Sequence, residues 1–273
     1  MVDLMSEDEP LFLALSTIRL HDDYTYRHSL NVAILSMCLG KRIGLSRKSL
    51  ERLGLCGMLH DLGKVEVPKN ILNKAGKLTD EEFEEMKKHA LNSVRMIVKV
   101  NASPDRKAKL LLPPFEHHLK FDLSGYPQTT RKEPISLFGR IIAIADVYDA
   151  VTSPRIYRRF VMTPDQALGM MLKGAGKDFD PILLKVFINM MGAYPVGTLL
   201  KLDTGEFGLV AENPGNGRKS RPIVVLLHKN GHFRKGAIVD MNQKNPQTGK
   251  YLRNVVRTFH PADYDIQPAE FLF

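Results

Sequence analysis

Five of the nine histidines in this chain stand in an ordered series with two aspartates: His28, His60-Asp61, His89, His117-His118 and Asp146. The series spans five predicted helical segments, so the fold has to carry distant helices to one place. An imidazole and carboxylate set of this size is large enough for two metal ions, and Gly125-Tyr126-Pro127 follows the histidine pair. Such a set points to hydrolysis of a phosphate ester at a two-metal centre.

Each member read alone has a plainer explanation. His60-Asp61-Leu62-Gly63-Lys64 lies where a helix is predicted to end, and Gly63 lets the chain turn there. Neighbouring helical residues point about 100° apart, so both can meet one ion only beside the helix end or in a crowded core. A carboxylate can bridge two cations whereas one imidazole nitrogen binds one, so Asp61 is the better bridging candidate. Lys64, just beyond, could hold a phosphate oxygen or protonate a leaving alkoxide. The plainer reading of His60-Asp61 is a hydrogen-bonded structural pair. Asp146 sits in the apolar run Ile141-Ile142-Ala143-Ile144-Ala145-Asp146-Val147, where a carboxylate calls for a metal or a basic partner. Asp149 shares its helix face and could act behind the ligands. His117-His118 follow Pro113-Pro114, which are expected to interrupt any helix begun at Ser103-Pro104. Alone they would read as loop histidines, and His89 as a helix-face histidine. Mixed histidine and carboxylate ligation without cysteine suits iron, manganese, cobalt, nickel or zinc rather than a structural zinc site.

At 273 residues the chain is expected to form one large and one small domain. No apolar run approaches the roughly 20 residues of a membrane helix. The run Leu11 to Ile18 follows the acidic Ser6-Glu7-Asp8-Glu9, where a secretory leader would carry positive charge. A cytoplasmic protein without a membrane partner is therefore expected. Cys38 and Cys56 are expected as buried core thiols, since neither has a CxxC partner. The net charge of +9 divides as +5 over residues 1–192 and +4 over residues 193–273, with no concentrated polybasic arm. A small phosphorylated ligand fits this distribution at least as well as nucleic acid, which is the less favoured partner.

The first two-thirds read as helices. Tyr24 to Ile43 place Leu30, Ala33, Ile34, Met37, Leu39 and Ile43 near one face, with Gly44 as a stop. A second helix begins at Ser46 and runs to Gly63. Thr79-Asp80-Glu81-Glu82 is a capping box, predicted to open one long helix through Met86, His89, Ser93 and Ile97. Helices follow over Ser136 to Thr152, Pro164 to Lys173 and Pro181 to Met191. After Gly192 the short runs Val196-Gly197-Thr198, Phe207 to Val210 and Pro222 to Leu227 alternate with Gly- and Asn-rich turns, which is strand and hairpin chemistry. The expected class is mainly α with a small C-terminal β-domain. The expected organisation is an N-terminal helical segment (1–23), a phosphohydrolase domain (24–192) and a β-rich domain (193–273).

The order and spacing resemble the HD superfamily of metal-dependent phosphohydrolases, and within it the HD-GYP family of cyclic di-GMP phosphodiesterases. The likeness spans residues 25 to 191. It is carried by His28-Ser29-Leu30-Asn31-Val32-Ala33, Leu59 to Lys64, Ile71 to Thr79, Lys88-His89, His117-His118, Asp122 to Pro127, Ala145 to Ala150, Thr152-Ser153, Tyr157-Arg158 and Gly176 to Pro181. The resemblance implies an HD-type helical bundle holding two divalent transition-metal ions, iron or manganese first, with cobalt, nickel or zinc as alternatives. One ion would be held by His28, His60, Asp61 and Asp146, the other by Asp61, His89, His117 and His118. A third-metal glutamate position is occupied by Tyr24, which implies a binuclear site. In family terms Tyr126 would contact a guanine, and Arg155 and Arg158 would meet the ligand's phosphates. The implied reaction is hydrolysis of cyclic di-GMP to linear pGpG, with GMP as a further product.

Four departures stand out: Leu119 and Leu123 where the family usually has glutamate and glycine, Pro113-Pro114 immediately before two ligands, and Ser93 at a common glycine. Leu119 and Leu123 motivate an alternative, a catalytically weak protein that senses cyclic di-GMP or docks onto a GGDEF-type cyclase. A hydrolase of another nucleotide is the more distant rival.

Overall fold

The inward side of the first described helix is largely polar. In this computed structural model, which describes residues 23–153, 161–213, 221–230 and 232–272, helix α1 runs over Asp23–Arg42. It buries Thr25, His28, Ser29, Val32, Ala33, Ser36 and Leu39, a stripe at helical spacing. Leu30 and Ile34, expected inside, are 39% and 46% exposed. The apolar count misplaces the face because small and ligand-type residues occupy the side that meets the neighbouring helices. Cys38 falls off the buried stripe and is exposed, contrary to expectation, whereas Cys56 is buried and its thiol is pushed up to about 12 by that burial.

Helix α2 (Arg47–Leu59) starts at Ser46, whose side chain accepts from the Ser49 amide. It ends before a 3-10 turn over Leu62–Glu66 rather than running on to Gly63. After the short α3 (Lys69–Leu72), the capping box of Thr79 and Glu82 opens α4 (Asp80–Lys87). The single long helix expected here is two: α5 (His89–Lys99) begins after a break at Lys88. At the break the Met86 carbonyl accepts from His89 Nδ1 at 2.6 Å, taking up an acceptor the continuous ladder would use. Helix α6 (Pro104–Glu116) carries Pro113 and Pro114 inside its last turns and is not interrupted there, contrary to the expectation from the sequence. Proline removes an amide donor and its ring crowds the carbonyl four residues earlier, yet the helix continues, and the Pro113 and Pro114 carbonyls accept from the His117 amide and His117 Nδ1.

Helix α7 (Leu137–Thr152) is capped by Ser136 and is buried almost all round, from Gly139 to Ala145 and on to Tyr148. It packs on α1 and α6, while α1 packs on α2, and α5 packs on α6 and the 3-10 turn. Helices α8 (Pro164–Lys173) and α9 (Pro181–Met191) follow. Among the described residues no helix is long and apolar enough to cross a membrane.

Contacts divide the chain into two compact units, Met1–Phe160 with Met171–Val186, and Val161–Met170 with Phe187–Phe273. The second unit holds an antiparallel sheet of β1 (Leu199–Leu202), β2 (Phe207–Glu212), β3 (Ile223–Asn230), β4 (His232–Asp240) and β5 (Val255–Phe259), in the order β4-β3-β2-β1-β5. The first strand begins at Leu199, because Val196 and Gly197 form a turn with glycine at φ +85°. Strand alternation gives this sheet two apolar faces. Leu200, Leu202, Val210, Val224 and Leu226 pack with Met241 on one, and Leu199, Leu209, Val225 and Leu227 pack with Ile266 on the other. The chain closes with a 3-10 turn (Pro261–Tyr264) and α10 (Pro268–Leu272).

In the first unit one close approach sets the spacing of the helices. A Cβ on Gly63 would lie 2.2 Å from the His89 carbonyl oxygen and 2.5 Å from the Ser93 nitrogen. Both obstacles are backbone, so they cannot move like the end of a side chain. We expect Gly63→Ala to force α5 away from the 3-10 turn and to cost about 3 kcal/mol or more, the upper part of the overpacking range. Urea unfolding of the metal-free protein measures it; an unchanged midpoint would mean that α5 is free to shift.

Candidate metal centre

The turn after α2 brings Asp61 to the middle of the helical unit, 1% exposed, between two sets of donors. Its Oδ1 lies 3.3 Å from His89 Nε2 and 3.8 Å from His117 Nε2. Its Oδ2 lies 3.3 Å from His60 Nε2 and 3.7 Å from His28 Nε2, and accepts an ion pair from Lys64. Asp146 projects from α7 with Oδ1 at 2.9 Å from His28 Nε2 and 3.9 Å from His60 Nε2. Its Oδ2 is 3.8 Å from His118 Nδ1. All seven residues of the sequence series thus meet. They fall into two groups whose donor atoms are close enough to share an ion: Asp61, His89, His117 and His118, and His28, His60 and Asp146.

The imidazoles are aimed by one local device used three times. His60, His89 and His117 each stand at a helix end or break and donate Nδ1–H to the carbonyl three residues earlier, on Gly57, Met86 and Pro114, at 2.6–2.7 Å. A carbonyl can only accept, so the proton is on Nδ1 and the Nε2 lone pair points inward. His28 is oriented differently: Asp149 Oδ2 holds its Nδ1 at 2.7 Å, and Asn31 Nδ2 and Ser153 Oγ hold the other oxygen of Asp149 at 2.8 Å. That chain of contacts fixes both ring and carboxylate. Tyr24 stacks on the His28 ring with planes 6° apart, at the position where a third-metal glutamate would stand.

This donor arrangement fits cations. His89 Nε2 lies 3.3 Å from His117 Nε2 and 3.1 Å from His118 Nε2. With the protons of His89 and His117 committed to carbonyls, lone pair faces lone pair between those two rings. His60 Nε2 and Asp61 Oδ1 are buried with no hydrogen-bond partner. Unpartnered acceptors at this depth are costly in a protein interior and become ligands when a cation is supplied. Burial holds His89 down to about 4 and His118 down to about 3, and holds His117 well below its ordinary value, so these rings stay neutral at pH 7, the form that coordinates metal. Burial acts in the same direction on His28, but the Asp146 and Asp149 carboxylates outweigh it and push that ring up to about 9. The desolvation of Asp61 is outweighed by His60 and Lys64, and that of Asp146 by His28, so both carboxyls lie well below the usual carboxylate range.

The loop after the histidine pair folds back as a tight hairpin, with Leu119 bridged to Gly125 and the Tyr126 amide on the His118 carbonyl. Gly125 is required there: its φ is +95° and a Cβ would stand 2.3 Å from the His118 oxygen. Leu123 adopts φ 68°, a left-handed conformation that is costly for a leucine, at the position of the family's glycine. Leu119 is 2% exposed and packs in the core. Tyr126 lies 4.5 Å from the His118 ring, between centroids. Arg155 and Arg158 fall outside the described residues.

Two supports of the site carry no motif in the sequence. Glu116 is fully buried and binds Arg131 and both the amide and hydroxyl of Ser136, tying the histidine pair to the start of α7. Its only sequence signal is a carboxylate beside the apolar end of α6; nothing in the spacing marks Arg131 as its partner. Ser93 Oγ accepts from the Gly63 amide at 2.8 Å and donates to the His60 carbonyl at 2.9 Å. The serine at a common glycine position therefore laces α5 to the His60-Asp61 turn.

Comparison with known proteins places the chain. The HD domain family matches residues 4–183, and the chain belongs to that family. It is 38% identical over 215 residues to the cyclic di-GMP phosphodiesterase PA4108 of Pseudomonas aeruginosa, covering 79% of this chain and 51% of that protein. It is 33% identical over 194 residues to a probable cyclic di-GMP phosphodiesterase of Vibrio cholerae, covering 67% of this chain and 44% of that one. The chain thus spans about half the length of these relatives. Among solved structures, Bd1817, a HDG"Y"P protein from Bdellovibrio bacteriovorus, superposes with a TM-score of 0.50 at 16% identity, over 61% of this chain and 52% of that one, which is a likeness of fold.

Ser93→Ala leaves the Gly63 amide and the His60 carbonyl buried and unpaired. We expect a loss of about 1–3 kcal/mol in the metal-free protein. Chemical denaturation checks it, and wild-type stability in the variant would show the two bonds to be dispensable.

Proposed function

We propose that this chain is an HD-GYP phosphodiesterase that hydrolyses cyclic di-GMP to linear pGpG, with GMP as a slower further product. The observation that carries this reading is the placement of Asp61, one oxygen toward each group of donors. The names of the relatives supply the substrate class. The catalytic unit is assigned to residues 24–192, after an N-terminal segment of residues 1–23, with residues 193–273 as a separate β-rich domain.

In this reading His28, His60, Asp61 and Asp146 hold one divalent ion, and Asp61, His89, His117 and His118 the other, iron or manganese in the first place. When bound, the ions supply Lewis-acid polarisation of a phosphoryl oxygen and offset negative charge developing at phosphorus. Asp61, with one oxygen toward each donor group, would serve both ions. The Nδ1 hydrogen bonds keep the rings of His60, His89 and His117 in the coordinating tautomer, so little reorganisation accompanies binding. Lys64, whose ammonium lies on Asp61, is placed to meet a phosphate oxygen or to hand a proton to the leaving 3′-oxygen. Tyr126, against His118, contacts a guanine, and Arg155 and Arg158 meet the phosphates.

Purified, metal-replete protein incubated with cyclic di-GMP is expected to yield pGpG. Binding without pGpG would instead assign a regulatory protein, and absence of both would overturn the substrate. Asp61→Ala is expected to lose both ions together with activity, since no neighbouring imidazole can supply a bridge. Elemental analysis showing two ions per chain retained would remove the bridging role. Lys64→Ala is expected to keep its metal and lose roughly 10²-fold in turnover; unchanged turnover would make it a bystander beside the helix end.

A further inference from the structure

Phe83 is a large apolar side chain left 44% exposed on α4, close to the imidazole cluster. Its ring meets Tyr126 edge to face, with centroids 6.1 Å apart and planes at 83°. Tyr126 in turn packs on His118 at 4.5 Å and stands 6.2 Å from His89. The two rings come from segments more than forty residues apart in sequence, so their meeting is a product of the fold rather than of helix spacing. Lys87 places its ammonium 4.7 Å from the Phe83 centroid and 6.0 Å from that of Tyr126. Its ion-pair partner, Glu84, is a largely exposed side chain on the same helix.

Tyr126 meets the phenyl ring edge to face and Lys87 stands over it, yet 44% of the residue is left open to solvent. What the place offers is an aromatic corner with a cation above it, next to donors suited to phosphate chemistry. That combination is complementary to a nucleobase joined through one sugar to the phosphate at the cluster. Base stacking on an aromatic side chain is favourable for any base, because each has a π-face.

We propose that Phe83 is a ligand-binding residue: a base of the bound cyclic dinucleotide stacks on its ring, with Tyr126 forming the second wall of the corner. The inference rests on the cyclic di-GMP reading above and adds a ligand contact that the series of histidines and aspartates does not contain. Lys87 steadies the ring and contributes positive charge beside the phosphates. Phe83 does not touch the reacting atoms, so its loss acts on affinity.

The test compares the full chain with Phe83→Leu, which keeps apolar bulk without a π-face, and with Phe83→Trp, which restores one. Affinity for cyclic di-GMP is read as KM from initial rates of pGpG formation, or as Kd by calorimetry where turnover is slow. Phe83→Leu is expected to weaken it on the order of 10-fold, with kcat within about twofold of wild type. Phe83→Trp is expected to return to the wild-type value, and metal content to be equal in all three. Equal affinity in Phe83→Leu and wild type would overturn this inference while leaving the phosphodiesterase reading intact. A fall in kcat with unchanged KM would also overturn it, by assigning Phe83 to the framework. Failure of the wild type to bind or cleave cyclic di-GMP would remove the reading and the inference with it.

Discussion

The helical unit is organised around one buried carboxylate. Asp61 stands at the junction of α2 and the 3-10 turn with nitrogen atoms of four histidines within 4 Å of its two oxygens. Without a cation this is an expensive interior. Lone pairs face one another, acceptors lack donors, and a carboxylate is kept ionised away from water. The cost is met by rigid neighbours: three carbonyls that fix the imidazole tautomers, Lys64 on Asp61, and the Asp149, Asn31 and Ser153 contacts behind His28. A preformed site of this kind trades stability of the empty protein for a small reorganisation on binding.

That constraint explains features of the packing that hydrophobicity alone does not. Helix α1 turns His28 and three small hydroxyl residues inward and leaves Leu30 and Ile34 outside. The α4–α5 break frees the Met86 carbonyl for His89. The last turn of α6 contains two prolines and still presents their carbonyls to His117. In each case a local helical preference yields to the orientation of an imidazole.

The departures from the family pattern are absorbed unequally. Ser93 is a gain, for its hydroxyl bridges two backbone groups across a close helix contact. Leu119 is simply core, while Glu116, one helical turn earlier, anchors the histidine pair through Arg131 and Ser136. Leu123 keeps the left-handed turn at a conformational cost. The hairpin from His118 to Tyr126 therefore forms with its hydrogen bonds intact, and Tyr126 is delivered against His118.

The amino-acid sequence by itself determined the chemical inventory and the class of fold. Seven residues of metal-binding type, the helix starts at Ser46, Thr79 and Ser136, and the change to strand chemistry after Gly192 are all local in origin. Capping and turn preferences act over a few residues, so a reader of the chain can find them. Tertiary structure alone decided which face of α1 is buried, that Asp61 offers one oxygen to each donor group, that Glu116 finds Arg131, and that Phe83 meets Tyr126. The physical reason is the same throughout. Apolar periodicity records where water is excluded, whereas the pairing of buried polar and aromatic groups depends on partners that only the packing of distant helices brings within a few ångströms.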